Sequence, residues 1–232
     1  MLVHVGASGY AYKEWKGSFY PEKLPDKEML RYYAERLGTV EINNTFYRMP
    51  ATSVLENWAS QVPADFRFVL KVSQKITHYQ RLKGCAENVA YLLKQAATLG
   101  DRLGPLLFQL PPVFKKDIGR LRDFLVLLPR ERQAAFEFRH ESWFDDEVYA
   151  ALREHDAALC IAEAEDKLNT PLVTTASWGY LRLRKPDYAE AELMAWAQRV
   201  KAQTWREAYV FFKHEDGGKA PALAATFLKL AI

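Results

Sequence analysis

The chain has 232 residues, a net charge of +3 from 32 basic and 29 acidic side chains, and 49% apolar residues. That is the composition of one large globular domain, not of a disordered, fibrous or membrane-spanning chain. The charge excess is too small to name nucleic acid or anionic lipid as a partner, so local placement of charge must decide. Cys85 and Cys160 lie outside any CxxC or metal-ligand spacing and read as reduced core thiols, which sets aside a disulfide framework. The first residues, Met1 to Gly6, open in a strand-like run without a basic, apolar leader, and no window holds about 18 uninterrupted apolar residues. A cytoplasmic protein with no membrane partner is expected.

Val3–Ser8 reads as a first strand, followed by the aromatic loop Gly9–Gly17 and a helix capped by Asp26 that reaches Leu37 before Gly38. The second strand is Thr39–Asn43, and Ser53 with Glu56 is spaced as a capping box for a helix through Gln61. Phe66–Val72 forms the third strand, with a helix from about Cys85 to Leu99 behind it. Pro105–Leu110 is the fourth, after which Ile118, Leu121, Leu125 and Leu128 recur at helical spacing.

The fifth strand, Ala134 to Arg139, runs out into His140-Glu141-Ser142-Trp143, and Asp145 is placed to cap a helix to His155. Ala157–Ala162 follows as the sixth strand. Between Glu163 and Trp178 no long helical pattern recurs, so the sixth helix is expected to be short or missing. Tyr180–Arg184 and Ala208–Phe212 complete eight strands, flanked by helices at about Glu190–Gln203 and Ala220–Leu230. Eight βα units joined by right-handed crossovers close most naturally into one TIM-like (β/α)8 barrel, here a single domain of the α/β class.

Side-chain parity then picks out a site. In the fifth strand Phe136 and Phe138 share one face, whereas Glu137 and Arg139 share the other with Ala135. The same alternation turns Glu41, Asn43, Lys71, Gln109 and Arg182 toward the barrel axis, late in their strands, where the active sites of such barrels lie. An inward charge must be paired or used. Trp15, Phe46, Tyr47, Tyr79, Trp143 and Trp178 are expected to surround this mouth. With the cations Lys71, Arg139, Arg182, Arg184 and Lys213 they suggest a cleft for an anionic ligand with a flat ring, such as a nucleotide or nucleic acid.

Roles follow from residue type. Glu41 and Glu137 are candidates for general base, since two acids in one pocket can divide acid and base duties. Arg139 and Arg182 would hold the anion, Asn43 and Gln109 would add polar contacts, and Tyr47 and Trp143 would stack. Lys71 would pair charge or act as an electrophilic aid, and a desolvated barrel lysine can also form a Schiff base. His78, His140 and His214 each follow a strand and could join the glutamates around a divalent ion, but without an HxH or HExxH spacing this metal site is the weaker reading. His4 and His155 read as structural. No glycine-rich phosphate loop and no Gly-x-Ser-x-Gly elbow is present, which sets aside nucleotide-dependent oxidoreductases and serine hydrolases.

Six segments carry a family likeness: Val5–Tyr10, Thr39–Tyr47, Phe66–Lys71, Leu107–Pro112, Glu137–Trp143 and Tyr180–Leu183. Together they resemble the YecE-like family, Domain of Unknown Function 72, and the resemblance implies a TIM-like barrel without supplying a reaction. The family usually continues the seventh strand as Arg-Leu-His-Gly, where this chain has Arg182-Leu183-Arg184-Lys185. After the eighth it usually carries Asn-Asn-Asp, here Lys213-His214-Glu215. Both departures make the mouth more basic. The expected function is therefore an enzyme, of hydrolase or lyase type, acting on an anionic, aromatic-containing substrate at the mouth. A non-catalytic nucleotide- or nucleic-acid-binding module and a Schiff-base lyase using Lys71 are the alternatives.

Overall fold

The computed structural model describes residues 1–163, 168, 170–213 and 217–231. Eight strands alternate with helices along most of the chain: β1 (Leu2–Ser8), β2 (Thr39–Ile42), β3 (Arg67–Lys71), β4 (Leu103–Gln109), β5 (Ala134–Glu137), β6 (Ala158–Glu163), β7 (Trp178–Leu183) and β8 (Glu207–Phe212). Each pairs in parallel with the next, and β8 pairs with β1 to close the barrel. Around it lie α1 (Met29–Ala34), α2 (Thr52–Ser60), α3 (Ala86–Ala96), α4 (Ile118–Leu125), α5 (Asp146–Glu154), α6 (Glu190–Lys201) and α7 (Lys219–Ala231). Among the described residues no helix separates β6 from β7, as the lack of a helical pattern there implied. No helix among them is long and apolar enough to cross a membrane.

Strand alternation sorts the core into two layers. Val5, Val40, Phe68, Leu70, Phe108, Phe136, Ile161, Leu181, Val210 and Phe212 face outward, in one cluster with helix residues such as Leu92, Leu121, Phe124, Leu152, Ala197 and Phe227. Val69, Leu107, Ala135, Cys160, Trp178, Tyr180, Tyr209 and Phe211 fill the barrel itself. Polar residues that follow two positions later in the same strands therefore stand on top of an apolar plug. Gly6 lets β1 fit against β2, since a Cβ there would lie 2.1 Å from the Thr39 carbonyl oxygen.

Helix starts differ from the sequence reading in two places. Asp26 does not cap α1: it begins a short 3-10 turn, and its carboxylate bonds Lys16 Nζ at 2.8 Å. The Ser53/Glu56 box does not form, because the extended residue before the helix is Ala51, which starts α2 two residues early without a side-chain cap. Asp145 does cap α5, accepting a bond from the Glu147 amide at 3.0 Å.

Candidate active site

The β1, β2, β4, β5 and β7 strand ends deliver an ion-pair network to the top of the plug. Arg182, almost fully buried, bridges two buried carboxylates: Nη2 donates to Glu41 Oε1 at 2.8 Å and Nη1 to Glu137 Oε2 at 2.6 Å. Glu41 also accepts from Ser8 Oγ (2.7 Å), Tyr180 OH (2.6 Å) and Asn43 Nδ2 (3.3 Å). Glu137 also accepts from Gln109 Nε2 (2.9 Å), Arg139 Nε (3.0 Å) and Arg184 Nη2 (3.4 Å). Four donors on each carboxylate use its acceptor capacity.

That saturation decides the protonation state. Burial alone would raise the Glu137 pKa, but the charges of Arg182, Arg139 and Arg184 outweigh it and hold the carboxyl well below the usual carboxylate range. Glu41 is likewise depressed: burial opposes, while Arg182 and the bonds from Tyr180 and Ser8 prevail. Both glutamates are ionised and fully engaged near neutral pH, which is a poor state for a general base.

Lys71 is different. It ends β3 half-buried, and its Nζ makes no hydrogen bond or ion pair among the described residues; it stands 4.3 Å from the centroid of the Phe46 ring. Burial and the Arg182 charge bring its pKa down to about 8, against a partial upward pull from Glu41 and Glu137. His78 also meets Phe46, edge-to-face with ring centroids 4.9 Å apart, its Nδ1 bonded to Thr77 Oγ1 at 2.9 Å. Burial, with the charges of Lys71 and Arg139, lowers its pKa. Among the described residues four cations (Lys71, Arg139, Arg182 and Arg184) thus gather around the two carboxylates of the network.

Several expected members lie elsewhere. Trp143 is buried outside the barrel wall, stacked on Phe138 at 4.7 Å with its indole N–H donating to the Phe114 carbonyl, so it offers no face to a ligand at the mouth. The reason is that β5 ends at Glu137 and a 3-10 turn over Glu141–Trp143 folds the chain back outside. Trp178 fills the barrel near its other end, because β7 begins two residues earlier than expected. Trp15 is also fully buried. Tyr47 and Tyr79 are exposed on the loops after β2 and β3. His140 accepts a bond from the Ser142 amide as a turn cap, and His214 lies outside the described residues; among those residues no group of three His, Cys, Asp or Glu is placed to hold a metal. Ser8 and Tyr180 went unnoticed in the sequence although parity with Gly6 and Arg182 points both inward.

A closed parallel barrel with a buried Arg–Glu network at the carboxyl ends of its strands defines a TIM-barrel-like protein. The chain belongs to the family described as protein of unknown function DUF72, whose model matches residues 4–232. It is 34% identical over 116 residues to UPF0759 protein YecE of Escherichia coli, covering 50% of this chain and 43% of that protein. With YunF of Bacillus subtilis it shares 27% identity over 157 residues, 64% of this chain and 54% of that one. The crystal structure of a DUF72 family protein from Thermotoga maritima superposes with a TM-score of 0.87 at 28% identity, over 99% of both chains. One from Enterococcus faecalis gives 0.80 at 20% identity over 99% and 95%, a likeness of fold.

Proposed function

We propose that the barrel mouth is the active site of an enzyme, of hydrolase or lyase type, that takes an anionic substrate. Lys71 serves as its proton-transferring or carbonyl-attacking amine, and Arg139 and Arg184 hold the anion beside it. The observation that carries this reading is the Lys71 ammonium, unpaired among the described residues, beside a network in which each of the other charges has a partner. An ammonium placed among arginines costs stability unless a ligand pairs it, and with a pKa of about 8 roughly a tenth of it is neutral at pH 7. Glu41 and Glu137 then act as positioning residues: they fix Arg182 and leave Arg139 and Arg184 facing outward, both more exposed than Arg182.

A thermal-shift screen of wild type and Arg139→Ala against inorganic phosphate, pyruvate, citrate, AMP and a single-stranded oligonucleotide tests the reading. A ligand at 100 times its Kd adds about 2.7 kcal/mol, roughly 5–10 °C for a chain of this size. The expected result is a rise in wild type that Arg139→Ala loses; no rise with any of these anions contradicts it. Lys71→Arg keeps the charge but cannot release a proton near neutral pH. It should still bind the anion that wild type binds and form no product from it; binding without product in wild type itself would make the protein a binding module.

A further inference from the structure

Beside the mouth lies a groove that the network does not use. Its floor is Thr45, Ile76 and Leu92, its walls are Tyr47 and Tyr91, and its rim carries Arg48 and Lys75, enclosing about 350 Å³ with no acidic side chain in its lining. Tyr47 and Tyr91 are 71% and 54% exposed, an unfavourable placement for two rings, of which Tyr47 meets only an edge-to-face neighbour, Phe46, among the described aromatic residues. Open aromatic faces beside cations and no carboxylate are complementary to a flat ring joined to an anion.

The groove and the mouth share a wall. Thr45 Oγ1 donates to the Lys71 carbonyl at 2.7 Å, and the Phe46 ring lies 4.3 Å from Lys71 Nζ and 5.1 Å from the Tyr47 ring. The Tyr47 ring centroid can therefore be no farther from Nζ than those two distances together, within reach of one nucleotide-sized ligand. The segment that contributes Lys75 and Ile76 to the groove leads directly into strained backbone. Lys75–Tyr79 makes a single π-helical turn, and Arg81 and Leu82 follow with φ of 48° and 67°, in the left-handed region that non-glycine residues avoid. Leu82 is buried, and its amide donates to the Ile76 carbonyl, so the fold holds this conformation in place. π-turns and such strain concentrate at binding sites.

We infer that this groove is the subsite for the ring of a nucleotide-like substrate, with its base between Tyr47 and Tyr91 and its phosphate at Lys71 and Arg139; the inference rests on the anion site proposed above. Calorimetric titration with AMP and with ribose 5-phosphate, the same phosphate and sugar without the base, tests it. Stacking on an aromatic platform should make AMP bind at least about tenfold more tightly. Tyr91→Ala should remove that advantage while leaving ribose 5-phosphate affinity unchanged, and Tyr91→Phe should restore it. Equal affinities for the two ligands in wild type, or a Tyr91→Ala that weakens both alike, overturn the ring subsite and leave the anion site standing. Tighter AMP binding that depends on Tyr91 but ignores Arg139→Ala overturns the anion site instead, and with it the placement of the phosphate.

Discussion

Replacing Arg182 with methionine is expected to cost about 3–5 kcal/mol, the loss typical of a buried ion pair stripped of one partner. Such a loss is a large part of the roughly 5–15 kcal/mol that holds an ordinary domain together. Glu41 suffers most, since Arg182 is its one ion-pair partner among the described residues. Glu137 keeps Arg139 and Arg184. The deficit has a signed pH dependence. In wild type both glutamates have folded-state pKa values below their unfolded value of about 4.3, so their stabilisation is present above that pH and is lost as pH falls. In Arg182→Met a buried, unpaired Glu41 shifts the other way and takes up a proton more readily than the unfolded chain does. The two stability curves, measured by urea denaturation, should therefore converge on acidification from pH 7 to pH 5. Parallel curves would mean that Arg182 contributes packing and not charge.

Glu137→Ala should cost about 3 kcal/mol, at the lower end of that range. It removes the acceptor for four donors, but Arg139 and Arg184 are partly exposed and can turn to water, while Arg182 retains Glu41. Glu137→Gln should lose less, because an amide oxygen still accepts from Gln109 or Arg182. An unchanged unfolding midpoint in Glu137→Ala would show the carboxylate to be exposed, against its complete burial here.

The parity argument was legible because a strand's side chains repeat every two residues. Phe136 and Phe138 on the outer face left Glu137 and Arg139 inward, and the same alternation placed Glu41, Lys71, Gln109 and Arg182. It failed where strands end, since a one-turn 3-10 segment erases the period: Trp143 left the mouth for this reason. Trp178 does face inward in step with Tyr180 and Arg182, but β7 begins two residues earlier than expected, which puts it at the opposite end of the barrel from the mouth. Pairing was not legible at all. Nothing in the spacing says that Glu41 and Glu137 share one guanidinium, nor that Lys71 has no hydrogen-bond or ion-pair partner among the described residues; both depend on which strand ends meet across the closed barrel.

The most direct test of the account is the titration of Lys71 Nζ, followed by NMR in protein carrying labelled lysine and assigned by Lys71→Arg. The amine should titrate near pH 8, and phosphate should move that midpoint upward, because an anion at the mouth favours the ammonium. A midpoint near the ordinary lysine value of about 10.4, unmoved by phosphate, would place Lys71 in water or in an ion pair and remove the basis for an anion site at the mouth.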